Sequence, residues 1–155
     1  MGFDISGLSP NHPSFIEDMD MPDVSDEDGM NAYLKYVDET PGIYFRNNVW
    51  WWRPLWMFVC EYCDDILTKK DMESGHYNDF HEISKTKANK LANKLDKLIN
   101  DGTAKEFQED WEYQIEEAKE SDDKETKFWS NYPFSVDNVS RFAEFVRYSG
   151  GFTIG

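Results

Sequence analysis

No stretch of this chain approaches the roughly 18 apolar residues that a membrane-spanning helix needs. Its first residues, Met1-Gly2-Phe3-Asp4-Ile5, carry no basic segment leading into an apolar one, the mark of a secretory signal. These two absences lead us to expect a soluble, cytoplasmic protein with no membrane partner. Cysteine is scarce: Cys60 and Cys63 are the only two. Their spacing puts them on one helix, where a disulfide between them is strained, so a reducing compartment suits them. Positive charge is outweighed, with 16 Lys and Arg against 31 Asp and Glu and a formal charge of −15. So negative a surface repels phosphates, which argues against direct binding of nucleic acid. There is no glycine-rich phosphate loop and no nucleophile held in a recognisable elbow, and the reading favours a protein that is not an enzyme.

Aromatic rings are abundant, at 16% of residues. The run Tyr44-Phe45-Arg46-Asn47-Asn48-Val49-Trp50-Trp51-Trp52-Arg53-Pro54-Leu55-Trp56 packs four tryptophans, two arginines and a proline into thirteen positions. Each ring carries about 150–250 Å² of surface to bury, so these residues either build the core or line a site. Successive rings on a helix point in different directions, and at least one of Trp50, Trp51 and Trp52 is expected to face outward. Beside Arg46 or Arg53, an outward ring can stack on a planar ligand or anchor a protein partner.

The length suits one domain, residues 1–155, able to bury about 70% of its unfolded surface. The patterning predicts a mainly α (α+β) fold of four to five helices with a small β element near the termini. Residues 14–40 form an acidic insertion with a short helix, where Met30, Tyr33, Leu34 and Val37 recur at helical spacing. Pro54 suits the first turn of a second helix. This helix carries Leu55, Trp56, Phe58, Val59, Tyr62, Cys63 and Ile66 and is the expected centre of the core. Residues 75–80 read as a loop.

Residues 84–120 form a helical hairpin. Ser84 is the N-cap of its first arm, which carries Ala88, Leu91, Ala92, Leu95, Leu98 and Ile99, and Asp101-Gly102 is the turn. Thr103 and Glu106 have capping-box spacing for the second arm, with Phe107, Trp111, Ile115 and Ala118. Lys85, Lys87, Lys90, Lys94 and Lys97 on one arm are expected to neutralise the Glu and Asp residues of the other. Residues 121–127 look like a surface connection. Ser135 caps a last helix that stops at Ser149-Gly150-Gly151, and Phe152-Thr153-Ile154 pairs with residues 2–5 or 43–45.

Three sets of residues are candidates for function. Seven of the twelve residues 17–28 are acidic and none is basic: Glu17, Asp18, Asp20, Asp23, Asp26, Glu27 and Asp28. They form either a solvated loop or a recognition surface for a protein with a basic patch. The spacing Cys60-x2-Cys63-x12-His76-x4-His81 falls within that of a four-ligand zinc site. A zinc finger, however, has a hairpin at its cysteines and a core leucine where Glu73 stands. Zinc therefore remains the alternative to no cofactor, and buried thiols with loop histidines the alternative to zinc. Finally, Arg46, Trp50, Trp51 and Arg53 could share one pocket with His76, Asn78 and His81, the rings holding a nucleobase-like group and an arginine meeting a carboxylate or phosphate. The same loop gathers enough imidazole and carboxylate for acid–base chemistry if the groups converge; otherwise its side chains bond their own backbone.

The order Met1-Gly2-Phe3-Asp4, then the run from Tyr44 to Leu55, then Tyr132-Pro133-Phe134-Ser135 and Ser149-Gly150-Gly151-Phe152 resembles a family of uncharacterised small proteins from bacterial and bacteriophage genomes. The resemblance spans both ends of the chain and brings no established activity with it. Against that pattern, residues 14–39 look like an insertion. Some relatives carry cysteine-rich, zinc-ribbon-like elements between the third and fourth helices, where residues 121–127 have no cysteine, so a metal role does not carry over. Charge and resemblance together lead us to expect a non-catalytic interaction protein, of the phage-inhibitor type, acting on a host nucleic-acid-handling or defence protein.

Overall fold

A computed structural model describes all of residues 1–155. In β1 (Gly2–Gly7) Phe3 and Ile5 point inward while Asp4 and Ser6 face water, the alternation of a strand covered on one side. The acidic residues 14–40 follow and contain α1 (Glu27–Asp38). Next come β2 (Tyr44–Asn48), α2 (Val49–Tyr62), α3 (Lys69–Ser74) and β3 (His81–Ile83). The chain finishes with α4 (Lys85–Asn100), α5 (Thr103–Lys119), α6 (Lys124–Trp129), α7 (Val136–Ser149) and β4 (Phe152–Ile154).

The four strands form one antiparallel sheet in the order β2-β1-β4-β3, which joins the two ends of the chain. Ile5 lies opposite Ile154, and Asp4 and Gly155 exchange two backbone hydrogen bonds of 2.9 and 2.8 Å. One face is covered by α2 and α7, and α4 packs on α7 behind them. The result is the expected mainly helical α+β domain with a small β element near the termini: five helices of at least twelve residues and two of six. No helix is long and apolar enough to cross a membrane.

The core is built of rings. Trp52, Trp56, Phe3, Phe58, Phe142 and Phe152 are all fully buried. Trp52 stacks on Trp56 (centroids 5.4 Å apart) and on Phe3 (5.5 Å), and Phe142 meets it edge-on at 5.6 Å. Burying an indole requires a partner for its N–H. The Trp52 indole donates to the carbonyl of Gly75 (2.8 Å) and that of Trp56 to Met72 (2.9 Å), so both pin the end of α3 onto α2. Gly75 has to be glycine, because a Cβ there would fall inside the Trp56 ring. A second buried polar link is the reciprocal amide pair of Asn47 and Asn138 (3.0 and 2.9 Å), which fixes β2 to the first turn of α7.

Several expectations about local structure are corrected. α2 begins five residues before Pro54, because the Asn48 side chain accepts from the Trp51 amide (3.1 Å) and caps the helix there. Pro54 thus sits inside the helix, where its ring removes one backbone hydrogen bond. Thr103 opens no capping box. Gly102, in a left-handed conformation (φ 86°), is the N-cap of α5, and the Asp101 carboxylate takes the Thr103 amide (2.9 Å). Residues 121–127 are not simply a connection, since α6 starts at Lys124 behind an Asp123 cap. Nor do the hairpin arms neutralise each other. Lys87 and Lys94 of α4 reach Asp71 and Asp65 outside the hairpin, and no cation of α4 lies within 4.0 Å of a carboxylate of α5.

Candidate functional site

The acidic segment starts and ends beside the C-terminal end of α7. Ser9 and Asn11 donate their amides to Ser149 and Tyr148 (both 2.9 Å) on the way out, and Gly42 lies against the Tyr148 carbonyl on the way back. Between these anchors residues 17–25 contain no helix or strand. All seven candidate acids, Glu17, Asp18, Asp20, Asp23, Asp26, Glu27 and Asp28, are exposed. None has a cationic side chain within 4.0 Å. Two of them organise the local backbone. Asp23 accepts from the hydroxyl and amide of Ser25 (2.6 and 2.8 Å), bonds that lower its pKa, and Asp26 caps α1 through the Gly29 amide (3.0 Å). Ile16, Met19, Met21 and Val24 stand exposed among the acids, with Val24 at 80%.

The tryptophan run divides by direction. Trp52 and Trp56, one helical turn apart, go to the core; Trp50 and Trp51 stay half-buried. Trp50 packs on Tyr132 (4.7 Å) and Phe128 (5.5 Å), and with Trp51 it lines a shallow hollow beside Asn48 and Pro133. Arg46 is elsewhere, on the open face of the sheet, 3.4 Å from Asp4. The Tyr44 hydroxyl donates to the same carboxylate. Its pKa is pushed up to about 12, by burial first and then by that bond and charge. Arg46 also borders a hollow of about 330 Å³ between α1, β2 and α7, opposite Arg141.

Of the other proposed pocket residues, Arg53 and His76 come near each other, while Asn78 and His81 bond elsewhere. Asn78 donates to the Gly2 carbonyl (3.2 Å). His76 is held below its usual pKa by partial burial and then by the nearby Arg53 guanidinium. His81 sits on β3 with Nε2 2.7 Å from a carboxylate oxygen of Asp71, whose other oxygen receives the Lys87 ammonium at 2.6 Å. Asp71 is 3% exposed and also closes the capping box of α3 with Thr68. Burial alone would raise its pKa, but the His81, Lys87 and Thr68 hydrogen bonds outweigh it and hold the carboxyl well below the usual range. The cluster ties α3, β3 and α4 together. Sequence reading missed it, although Thr68-x-x-Asp71 carries capping-box spacing.

The zinc alternative does not find its four ligands together. Cys63 ends α2, buried, and Cys60 lies one turn earlier, while His81 is committed to Asp71. Burial pushes the two thiols up, to about 11 for Cys60 and about 12 for Cys63, away from the thiolate form that binds metal. No group of three or more His, Cys, Asp or Glu side chains is arranged to hold an ion.

Fold and surface together define a single α+β domain whose carboxylates are in large part unpaired with cations. Compared with protein-family models, curated proteins and solved structures, the chain finds no match among them.

Proposed function

We propose that this protein is a non-catalytic, cytoplasmic interaction protein that presents negative surface to a basic region of a protein partner. The form we favour is a phage-type inhibitor of a host nucleic-acid-handling or defence protein. The observation that carries the reading is the run of seven exposed carboxylates in residues 17–28 with no cation within 4.0 Å of any of them. Unpaired charge of one sign accelerates encounter with the opposite sign and discriminates against like-charged surfaces. Met21 and Val24, exposed within the run, add apolar area that a protein partner covers and a solvated loop leaves wet.

The test is affinity for a candidate basic host protein at low and high salt. It is repeated with Glu17→Gln, Asp18→Asn, Asp20→Asn, Glu27→Gln and Asp28→Asn combined, Asp23 and Asp26 being left to their turn and cap. Binding should weaken with salt and fall by about tenfold or more on neutralisation. A complex indifferent to both changes overturns the reading.

A second reading, a module for a small polar ligand, draws support from the 330 Å³ hollow that Arg46 and Arg141 border together with Tyr44, Asp38 and Glu144, a lining of both charge signs. A thermal-shift panel of nucleotides and carboxylates tests it, since a ligand at 100 times its Kd stabilises by about 2.7 kcal/mol. A flat panel removes it.

A further inference from the structure

Away from the acidic segment, a trough runs along the seam of α2, α5 and α6. Two hollows, of about 360 and 420 Å³, share Met57, Trp111 and Gln114 and so lie side by side along it. The floor is apolar, made by Met57, Phe107, Trp111, Ile115 and Trp129. Met57 is 41% and Trp129 44% exposed, so two large apolar side chains at this seam stay in water although the fold has a ring-built core to receive such groups.

The end of the trough nearest Thr103 is walled by Glu61, Glu106 and Asp110, all exposed and none with a cation within 4.0 Å. Tyr62 lines the same end, and its phenol pKa is raised by partial burial first and then by these three carboxylates. The opposite end, at Ile115, Ala118 and Trp129, carries no charged lining residue. From Thr103 to Ala118 the trough follows α5 for roughly 22 Å, the length of a helix of about 15 residues.

We propose that this trough docks a cationic amphipathic helix of a protein partner. Its Lys and Arg side chains face Glu61, Glu106 and Asp110, and its large apolar side chains seat on Met57, Ile115 and Trp129. The charge of the wall selects this occupant: a second copy of this chain, at −15, or a nucleic acid would meet repulsion there. Apolar floor beside charged rim is the arrangement that receives amphipathic helices, and flexible Met57 can adapt to the anchor it meets. This rests on the reading of the chain as an acidic interaction protein and adds to the contact at residues 17–28 a second, separate one at the α2–α5 seam.

The test titrates the full chain, followed by backbone amide NMR shifts, with three probes: a Leu/Lys helical peptide of about 15 residues, a peptide of the same composition with its amphipathic period scrambled, and oligolysine of equal length. The amphipathic peptide should shift amides around Met57, Trp111, Ile115 and Trp129 and bind about tenfold or more tighter than the scrambled one. Glu61→Gln, Glu106→Gln and Asp110→Asn together should weaken it about tenfold, and Met57→Ser should weaken it independently. The variant neutralised in residues 17–28 should bind it as the parent does. Equal binding of all three probes, no binding of the amphipathic peptide, or shifts confined to residues 17–28 would each overturn the trough. The wider reading is judged separately, by the salt and neutralisation response with a basic protein.

Discussion

α4 and α5 are joined by one tight turn at Asp101-Gly102, yet they live in different surroundings. α4 buries Ala88, Leu91, Ala92, Leu95 and Leu98 against its neighbours, chiefly α7, whereas α5 buries only Ala104. Their charges differ in the same sense. Lys87 and Lys94 on α4 reach carboxylates on other elements, and Asp96 meets Arg147 of α7; on α5 the single ion pair is Glu116 with its own Lys119. α4 is thus a structural wall, and α5 a surface held on by a few rings. Adjacency in sequence does not equalise burial, because each arm is assigned its environment by what packs across it.

The largest way to break this contrast is to empty the two arms in parallel. Leu95→Ala, at a position with no exposure, should cost about 2–5 kcal/mol in denaturant unfolding, the range for a buried leucine with its cavity. Ile115→Ala on half-buried α5 should cost about 1 kcal/mol, since less area leaves water contact and no closed cavity forms. Equal costs would mean that α5 is as integral as α4.

Next in size is the contrast between a buried and an exposed carboxylate. Asp71→Ala should cost about 2–4 kcal/mol, because it takes the carboxylate partner from Lys87 and His81 and removes one of the two hydrogen bonds of the α3 capping box. The folded-state pKa of Asp71 lies below its unfolded value, so this contribution is complete above about pH 4 and is lost as the pH falls from there towards the lowered value. The difference in Tm between parent and Asp71→Ala should therefore be largest near neutral pH and shrink in acid. A gap that widened in acid would assign the wrong sign to the cluster.

Smaller again is the amide pair. Asn138→Ala leaves the Asn47 amide buried and half-satisfied and should cost about 1–3 kcal/mol by thermal unfolding. This pair also shows where the sequence becomes silent. The two residues are 91 positions apart, and nothing local to either announces the other. By contrast, α4 and α7 could be read directly: Ser84 and Ser135 accept the amides of Lys87 and Asn138 as caps, and both helices carry apolar residues at a 3.6 period. The start of α2 was hidden because Pro54 offers a conspicuous boundary while the real cap, Asn48, lies within an aromatic run of no clear period. The proposed cancellation of charge between α4 and α5 failed because spacing along each helix says nothing about its rotation relative to the other. The acidic run of residues 17–28 was plain from composition. The trough was not, since α2, α5 and α6 each contribute only part of it.

The smallest expected effect sharpens the contrast most. If the acids of α5 are surface held in reserve for a partner, removing their charge should leave the fold where it is. Glu106→Gln with Asp110→Asn should change unfolding free energy by no more than about 0.5 kcal/mol, as for exposed positions without partners. The sign is informative. These carboxylates lie close to Glu61 and to each other around Tyr62, so relief of like-charge repulsion should make any change slightly stabilising, and more so at low salt where screening is weakest. A loss larger than the few tenths of a kcal/mol that the Glu106 charge contributes in the first turn of α5 would mean that the acids hold α5 onto α2, and the division between a supporting arm and a presenting arm would then have to be redrawn.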